Sequence, residues 1–424
     1  MLDINFIREN PGAVKQAAAA KLMDTDIDRL LELDGRIREA VTRIDAMRAE
    51  RNDWSKRIPG LPQVERERAV DRVKRIKDQL AQSEETLSAL RTEFDQIMLT
   101  VPSIPAPEVP LGRTDADNLV IRKWGQIPEF AFTPRDHMEL AETLDLADVS
   151  RAVKFAGSRS YFLKNEGALL ELAVCRLVID HLRAKGFTLM TVPVMVREEA
   201  MRGTGYFPIG YEQAYKLTED ELFLVGTSEV SMVSYHQNEV LNAAELPKKY
   251  AGYSTCFRRE AGTYGKDTRG LYRVHQFQKV EQVIFCRADD GEAERFHYEI
   301  LNNTEEILQA LELPYRVALA CTGEIGIGQV RKHEVETWMP SRNGYCETHS
   351  CSTLNDFQAR RSNIKYREND GTLKYVYTLN NTGIASPRIL IPLLEINQNE
   401  DGSVKIPKAL RPYMNGMEVI VPKK

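Results

Sequence analysis

The chain has 424 residues, of which 42% are hydrophobic, and its formal net charge is -5 at pH 7. This length predicts two or three domains with a sizeable core, and the negative net charge means that any nucleic-acid binding needs a local basic surface. No run of about 18 apolar residues occurs, which argues against a membrane span and a membrane partner.

The N-terminal stretch MLDINFIREN predicts neither a signal peptide nor an organelle leader. It carries acidic residues early and lacks the apolar run of a signal peptide, and it differs from the arginine- and serine-rich, acid-poor leaders of organelle proteins. The six cysteines are scattered, which favours free thiols in a reducing compartment over a disulfide framework. We therefore expect a cytoplasmic location.

Residues 27–98 have the pattern of a helical hairpin. In each half, apolar residues recur at alternating spacings of three and four, interrupted once by Arg51 and once by Ser83. Such a seam predicts two coiled-coil helices, and the prolines and glycine of the intervening RIPGLPQ allow the chain to reverse. We predict antiparallel arms at about 27–57 and 64–98, preceded by short helices. The apolar seam residues are Leu30, Leu33, Ile37, Ala40, Ile44, Met47, Trp54, Val73, Ile76, Leu80, Leu87, Leu90, Phe94 and Ile97.

The turn end of this hairpin is predicted to be basic. Between positions 48 and 77, ten basic and five acidic residues leave a surplus of about five positive charges. One interpretation is a solvated coiled-coil surface. The other is a surface that binds the phosphate backbone of a nucleic acid. The candidate residues for such binding are Arg48, Arg51, Lys56, Arg57, Arg72, Lys74, Arg75 and Lys77.

A proline-rich segment separates the hairpin from the rest of the chain. VPSIPAPEVPLG (101–112) contains four prolines and cannot continue a helix. Residues 113–424 mix strand-like and helical patterns, which predicts one large α+β domain. Within it, a helix near 168–184 leads into a strand at 186–195. The predicted division is therefore a helical domain at 1–100, a linker and a second domain.

The segment YSTCFRREAGTYGKDTRGLYRVHQFQKVEQVIF (253–285) predicts two strands around a glycine- and charge-rich loop at 261–271. Period-2 alternation places charged and aromatic side chains on shared faces of these strands, and a purely structural strand rarely carries so many charges. The set suits a nucleotide, because arginine forks bind phosphate, a ring stacks on a base and a carboxylate accepts from an exocyclic amine. The residues are Arg258 and Glu260 on the first run, and Arg273, His275, Phe277, Lys279 and Glu281 on the second.

The usual phosphate-binding loops are missing from the sequence. GTYGKDT (262–268) lacks both the first glycine and the following Ser/Thr of a Walker A loop, and no GxGxxG occurs. We therefore expect any ATP to bind on a sheet with arginines.

The octapeptide GYCETHSC (344–351) combines thiols and an imidazole, which are ligands that zinc prefers. On a strand, the odd separation of Cys346 and Cys351 places them on opposite faces, with Glu347 and His349 on the face of Cys351. Neither face offers four soft ligands, and no second Cys/His pair at finger-like spacing occurs. The pattern argues against zinc and predicts that both cysteines are packing residues.

Several of these motifs together resemble class II aminoacyl-tRNA synthetases in the form seen in seryl-tRNA synthetases. FRREAGTYGKDTRGLYRVHQFQKVE (257–281) resembles their motif 2, GFTLMTVPVM resembles motif 1, and TGIASPR (382–388) before ILIPLLEI resembles motif 3. GTSE (226–229) resembles the family's T-x-E serine loop. ETHSCSTLNDFQARRSNIKYR (347–367), RPYM and the N-terminal hairpin resemble further family segments, so the resemblance covers nearly the whole chain in order.

The resemblance implies an α+β fold with an N-terminal antiparallel α-helical coiled-coil hairpin that binds tRNA. It also implies a class II catalytic domain with a six-stranded antiparallel β-sheet, flanking helices and motif 1 at a homodimer interface. The implied activity is ATP-dependent activation of L-serine to seryl-adenylate and transfer of serine to the 3′ end of tRNA(Ser), with Mg²⁺ as cofactor. Whether tRNA(Sec) is also charged stays open.

The resemblance further implies the roles of individual residues. Arg258 and Arg388 are the implied catalytic cations; Arg258 bridges the serine carboxylate and the ATP α-phosphate, and Arg388 and Phe277 stack on opposite sides of adenine. Glu347 and Ser350 are the implied Mg²⁺ ligands, which need a local bulge to meet. The implied serine-binding residues are Thr227, Ser228, Glu229, Arg258, Glu281 and Thr382. The implied ATP-binding residues are Arg258, Arg259, Glu260, Val274, Phe277, Glu347, Thr348, His349, Ser350 and Arg388.

Three residues depart from the family pattern. Asn381 and Pro387 stand where glycine is usual or frequent, and His349 stands where serine is frequent. Asparagine tolerates left-handed backbone angles, so we expect Asn381 to preserve a turn. Pro387 fixes φ just before Arg388. None of the three removes a charge that the implied reaction needs.

Two other functions stay open at this point. One is a synthetase-like paralogue that loads an amino acid onto a carrier protein, although such proteins typically lack a full tRNA-binding hairpin. The other is an inactive RNA-binding module, which is expected to lose Arg258, Glu281 or Arg388. The chain has the pattern of the hairpin and all three residues.

Overall fold

A computed structural model describes residues 1–263 and 270–423. The predicted loop at 261–271 therefore lies partly outside the described residues. The chain divides into two compact units, one formed by Leu2–Ala19 with Met23–Pro102 and the other by Met1, Ala20–Leu22 and Ser103–Lys424. The predicted domain limits at 100 and 112 stay predictions.

The first unit contains the predicted helical hairpin. Its arms are α3 (Ile27–Arg57) and α4 (Gln63–Met98), and the short helices α1 (Ile4–Glu9) and α2 (Pro11–Ala20) precede them. The Asp26 carboxylate begins α3 by accepting a hydrogen bond from the backbone N–H of Arg29 at 2.8 Å. All of the predicted seam residues are buried or half-buried. The hairpin prediction is confirmed.

The second unit is an α+β fold. Its helices are α5 (His137–Thr143), α6 (Val149–Ala156), α7 (Asn165–Ala184), α8 (Glu198–Thr204), α9 (Glu229–Ser234), α10 (Asp290–Ala310), α11 (Phe357–Ser362) and α12 (Leu390–Ile396). Its strands are β1 (Leu119–Trp124), β2 (Ala147–Asp148), β3 (Phe162–Leu163), β4 (Thr188–Thr191), β5 (Met195–Arg197), β6 (Tyr215–Leu217), β7 (Leu222–Leu224), β8 (Val240–Asn242), β9 (Lys248–Phe257), β10 (Gln276–Cys286), β11 (Tyr315–Leu319), β12 (Arg331–Met339), β13 (Gly344–Asn355), β14 (Lys365–Arg367), β15 (Leu373–Tyr375), β16 (Tyr377–Ser386), β17 (Val404–Lys405) and β18 (Val419–Ile420).

The main sheet has eight strands in the order β1-β11-β12-β13-β16-β10-β9-β4. The six central strands are antiparallel to one another, as predicted. The sheet has two further strands at its edges: β1 is antiparallel to β11, and β4 is parallel to β9. The strand predicted at 186–195 is not continuous. It breaks before Pro193, which has no N–H for a ladder, and resumes as β5 in a separate three-stranded sheet.

Helices α7 and α10 pack on the central strands and form the main core. Val178 and Leu182 of α7 and Ile300 of α10 are buried in one cluster with Val280 of β10 and Ile384 of β16. This packing fixes β10 and β16, the two strands that carry much of the candidate site. Within the described part of the chain, no helix is long and apolar enough to cross a membrane.

Candidate active site

Most of the predicted nucleotide-binding residues surround one cavity of about 200 Å³. Four predicted serine-site residues do not line this cavity but are buried. Arg259, which was predicted to bind ATP, is exposed, and its guanidinium donates to the backbone oxygen of Glu212 at 3.3 Å. The predicted residues that line the cavity are Arg258, Glu260, Val274, Phe277, Glu347, Thr348, His349, Ser350, Thr382 and Arg388. The four buried residues are Thr227, Ser228, Glu229 and Glu281.

Phe277, Lys279 and Glu281 occupy alternating positions of β10, as predicted, but the prediction is wrong for the other motif 2 residues because β9 ends at Phe257 and β10 begins at Gln276. Arg258, Glu260, Arg273 and His275 lie in the connecting segments instead. There, the Arg258 guanidinium lies 5.3 Å from the ring centroid of Phe277, and Arg273 pairs with Glu260 at 3.2 Å. His275 lines a neighbouring cavity, with Nδ1 3.0 Å from the backbone oxygen of Arg258.

Arg388 is held by two backbone oxygens from different elements. Its Nε donates to the oxygen of Tyr272 at 3.2 Å, and its Nη1 donates to the oxygen of Glu347 at 3.1 Å. The guanidinium also lies 4.3 Å from the centroid of the Tyr272 ring. Together these contacts fix its orientation at the cavity wall.

A bulge in β13 brings the two predicted Mg²⁺ ligands to one face. Ser350 pairs with Glu334 and Glu347 pairs with Glu336, with a register shift between these pairs. Because Glu334 and Glu336 are two residues apart on β12, Glu347 and Ser350 share a face. The bulge that the metal prediction required is therefore present, and the two side chains offer the hard oxygen donors that suit Mg²⁺.

The same bulge corrects the predicted faces of the cysteines. Cys346 pairs with Thr337 and Cys351 pairs with His333, so both thiols lie on one face, away from that of Glu347. Both pack in apolar clusters, and burial raises the pKa of each thiol. Among the described residues, no group of three or more His, Cys, Asp and Glu is arranged to hold a metal ion.

His349 is buried and uncharged at the cavity wall. Burial, followed by the positive charge of Lys279, lowers its pKa to about 3. Its Nδ1 lies 2.9 Å from Oγ1 of Thr348, which in turn lies 2.7 Å from Oγ1 of Thr337. At neutral pH, His349 can therefore offer hydrogen bonds but no positive charge.

The predicted ammonium site contains two buried carboxylates. Burial, together with the charge of Glu281, raises the pKa of Glu229 to about 7. Burial also raises the pKa of Glu281, against the opposing effect of Lys279. The Lys279 ammonium forms an ion pair with Glu281 and donates to Oγ1 of Thr227 at 3.3 Å. One protein ammonium therefore already lies among these acceptors.

Three side chains that sequence reasoning missed hold Glu229 in place. Its carboxylate accepts hydrogen bonds from Gln358 Nε2 at 2.7 Å, Asn380 Nδ2 at 2.9 Å and the Tyr206 hydroxyl at 3.2 Å. Gln358 lies in the DFQARR segment, so a signal for it existed. No motif points to Tyr206 or Asn380, because only the fold brings them to Glu229.

The prediction that Asn381 preserves a turn is wrong. Asn381 lies inside β16, where its Nδ2 donates to the backbone oxygen of Ile300 at 2.6 Å and to Oγ1 of Thr304 at 2.9 Å. It thereby fastens the strand to α10. Pro387 lines the cavity beside Arg388.

The predicted RNA-binding residues lie on the hairpin arms. The guanidinium groups of Arg57 and Arg72 lie 5.1 and 5.3 Å from the ring centroid of Trp54, and Arg48 pairs with Glu84 at 2.7 Å. Arg51 is half-buried, and Lys56, Lys74, Arg75 and Lys77 are exposed. Part of the basic surplus therefore serves local contacts, and the exposed part remains accessible to phosphate.

Comparisons with known proteins show the family of this chain. Residues 1–105 match the family model of the seryl-tRNA synthetase N-terminal domain, and residues 212–397 match that of the tRNA synthetase class II core domain (G, H, P, S and T). A serine–tRNA ligase from Deinococcus radiodurans is 47% identical over 99% of each chain.

Two solved structures cover nearly the whole chain. The seryl-tRNA synthetase from Pyrococcus horikoshii, complexed with ATP, has a TM-score of 0.90 and 37% identity, and all of both chains is covered. The cytoplasmic serine–tRNA ligase from Naegleria fowleri, complexed with AMP, has a TM-score of 0.87 and 29% identity, with 100% of this chain and 99% of the other covered. The chain belongs to the seryl-tRNA synthetase family of class II aminoacyl-tRNA synthetases.

Proposed function

We propose that this chain activates L-serine with ATP to form seryl-adenylate and then transfers serine to the 3′ end of tRNA(Ser). The observation that carries the proposal is the cavity where Arg258, Phe277 and Arg388 meet, next to the buried carboxylates of Glu229 and Glu281. Guanidinium groups suit phosphate, an aromatic face suits a base, and buried carboxylates suit a cationic amine. The nucleotides bound by the two solved relatives support this assignment.

For ATP, Phe277 and Arg388 stack on the two sides of the adenine ring. Glu260 accepts a hydrogen bond from the adenine amino group, and the backbone of Val274 contributes a further contact. Arg258 contacts the α-phosphate. Arg259, Thr348 and His349 complete the nucleotide site, His349 as a neutral group because its pKa is lowered to about 3.

For serine, the ammonium group is held by Thr227, Glu229 and Glu281. Ser228 lies between the first two of these residues and belongs to the same site. Glu281 and Thr382 hold the hydroxyl. These two residues are direct partners across β10 and β16, so their side chains share a face. Selectivity against alanine follows, because a substrate without the hydroxyl leaves buried polar groups unpaired.

The chemistry needs no protein nucleophile. In the first step, a serine carboxylate oxygen forms a bond to the α-phosphorus while the bond to the bridging oxygen breaks and pyrophosphate leaves. Both partners are anions, so Arg258 contributes by aligning them and by neutralising charge. In the second step, the terminal tRNA hydroxyl attacks the serine carbonyl and AMP leaves.

Mg²⁺ fits the oxygen donors of Glu347 and Ser350, which the bulge in β13 places on one face. When bound, this ion supplies charge neutralisation and orientation of the ATP phosphates. Glu347 also accepts the Arg388 hydrogen bond through its backbone oxygen. Its side chain therefore remains available for the metal while its backbone positions the adenine-stacking arginine.

The predicted domains have different roles in this proposal. Residues 1–100 bind tRNA through the basic end of the hairpin, 101–112 form the linker, and 113–424 catalyse both steps. The working form is a homodimer in the cytoplasm, in line with the description of the Naegleria fowleri relative as cytoplasmic. For the transfer step, tRNA(Sec) is a second candidate substrate.

Incubation with ATP, labelled serine and tRNA tests this function. We expect acid-precipitable serine on tRNA, with AMP and pyrophosphate formed in equal amounts. Serine consumption without labelled tRNA, with serine attached instead to an added carrier-protein thiol, contradicts the proposal in favour of the paralogue function. Absence of any serine-dependent AMP formation contradicts both.

A further inference from the structure

Lys279 occupies two of the three acceptors assigned to the substrate ammonium, Glu281 and Thr227. Its ammonium forms an ion pair with Glu281 and donates to Oγ1 of Thr227 at 3.3 Å. Both side chains of the ion pair are buried, with 8% of Lys279 and 2% of Glu281 exposed. A cation of the same kind as the serine ammonium therefore fills this site in the structure.

Two ammonium groups cannot share these acceptors without strong repulsion in a buried site. If serine binds through Thr227 and Glu281, the Lys279 ammonium has to leave them. A buried ammonium without a partner is also unfavourable, so it must find new anionic partners. The serine carboxylate and the ATP α-phosphate are the anions that arrive with the substrates.

Lys279 has room for such a movement. Its side chain lines the same cavity as Arg258 and Arg388, and its four-carbon stem allows the ammonium to turn about β10 without moving the strand. The path from Glu281 toward the phosphate-binding cations is therefore through the cavity.

We propose that Lys279 holds the place of the serine ammonium in the empty site and, when serine enters, moves into the cavity to become a second cation at the reacting carboxylate and α-phosphate. This inference rests on the proposed function. It makes Lys279 a catalytic residue in the substrate complex. It also keeps the buried carboxylate of Glu281 neutralised both before and after serine binds.

A lysine-to-methionine substitution separates this role from a static ion pair. In Lys279→Met, loss of one preorganised cation lowers kcat of serine-dependent ATP–pyrophosphate exchange about 100-fold. The dissociation constant of serine, measured without ATP by calorimetry, stays equal to that of the wild type or becomes smaller, because the competing ammonium is gone. Lys249→Met is the matched control, since Lys249 pairs with Glu299 outside the cavity, and it keeps wild-type exchange.

Two outcomes of this comparison overturn the inference. One is a kcat within threefold of the wild type, and the other is serine binding weakened more than tenfold in Lys279→Met. If the wild type itself shows no serine-dependent exchange, the proposed function fails rather than this step.

A crystal structure of the wild-type protein with serine bound provides a test that does not depend on a folded variant. We expect Nζ of Lys279 to leave Glu281 and Thr227 and to lie within hydrogen-bond distance of the serine carboxylate. Nζ still paired with Glu281 beside bound serine overturns the inference.

Discussion

The hairpin and the catalytic sheet use charge in opposite ways. On the hairpin, ion pairs such as Arg48–Glu84 surround an apolar seam, and about half of each side chain is exposed. In the sheet, Lys279 and Glu281 are almost fully buried. An exposed pair contributes only about 0–1 kcal/mol, whereas loss of one partner from a buried pair destabilises by about 3–5 kcal/mol. The apolar seam therefore stabilises the hairpin, whereas buried ion pairs fix the positions of the charged side chains in the candidate site.

The largest effect is expected from Arg258→Ala. In the proposed mechanism this substitution removes a cation from the reacting α-phosphate, and we expect it to lower kcat/KM of ATP–pyrophosphate exchange by about 1,000-fold. Arg287→Ala is the control, because Arg287 donates to the backbone oxygen of Ala243 and does not line the cavity. Exchange that falls equally in both variants contradicts a specific role of Arg258.

The next effect comes from Glu281→Gln, which keeps the shape of the side chain and removes its charge. We expect serine-dependent exchange to fall about 100-fold, and the free energy of unfolding to fall by about 3 kcal/mol because Lys279 loses its partner. Glu299→Gln, in the pair outside the cavity, should leave exchange unchanged. Unaltered serine affinity in Glu281→Gln contradicts the assigned ammonium site.

A smaller effect, confined to tRNA, is expected from the exposed basic residues of the hairpin. Replacing Lys56, Lys74 and Lys77 by glutamine should leave exchange intact and weaken tRNA binding. The slope of log K against log salt should become shallower by about 0.7–0.9 for each phosphate that a lysine no longer neutralises. The measurement is tRNA affinity across a salt series. Three exposed lysines of the catalytic unit, replaced together, provide the control. Equal salt slopes in both sets contradict the assignment of tRNA binding to the hairpin.

The smallest effect is a pH dependence due to Glu229. Its pKa is raised to about 7 by burial and by Glu281, so its carboxylate gains a proton as pH falls through about 7 and no longer attracts an ammonium. We expect kcat/KM for serine to decline below this pH, at most tenfold per unit, and Glu229→Gln to flatten the profile at a lower level. Glu199→Gln, at an exposed position, is the control and should keep the pH profile of the wild type. An unchanged decline in Glu229→Gln contradicts the assignment.

The same protonation affects stability with a defined sign. Because the folded state raises the pKa of Glu229 above its ordinary value, it retains the proton to higher pH than the unfolded state does. The contribution of this group therefore favours folding at low pH and is lost as pH rises from about 4.5 to about 7. Glu229→Gln removes this contribution.

The two regions also differ in what the sequence could predict. The seam of the hairpin follows a local period, so residues such as Ile44 and Leu80 could be placed from spacing alone. In the candidate site, period-2 alternation did not predict the positions of Arg258 and His275, because both residues lie beyond the strand ends. Motif resemblance implied a role for Arg258 in binding ATP and serine, but it did not give the backbone position of either residue.

Other features depend on contacts between distant segments. The bulge in β13 was required by the metal prediction, yet strand alternation still placed Cys346 and Cys351 on opposite faces. The edge strand β1 has the sequence LVIRKW and carries exposed side chains along its whole length, so its apolar residues do not follow the alternation of a half-buried strand. Tyr206 and Asn380 reach Glu229 only through the tertiary fold.

Amino-acid specificity of ATP–pyrophosphate exchange tests the central claim most directly. In the proposed serine site, the buried side chains of Thr227, Glu229, Glu281 and Thr382 bind both the ammonium and the hydroxyl of the substrate. With the wild-type protein, Mg²⁺ and each amino acid in turn, we expect exchange with serine to exceed that with alanine, glycine and threonine by at least about 100-fold in kcat/KM. Exchange with alanine or glycine comparable to that with serine would contradict this account of the site.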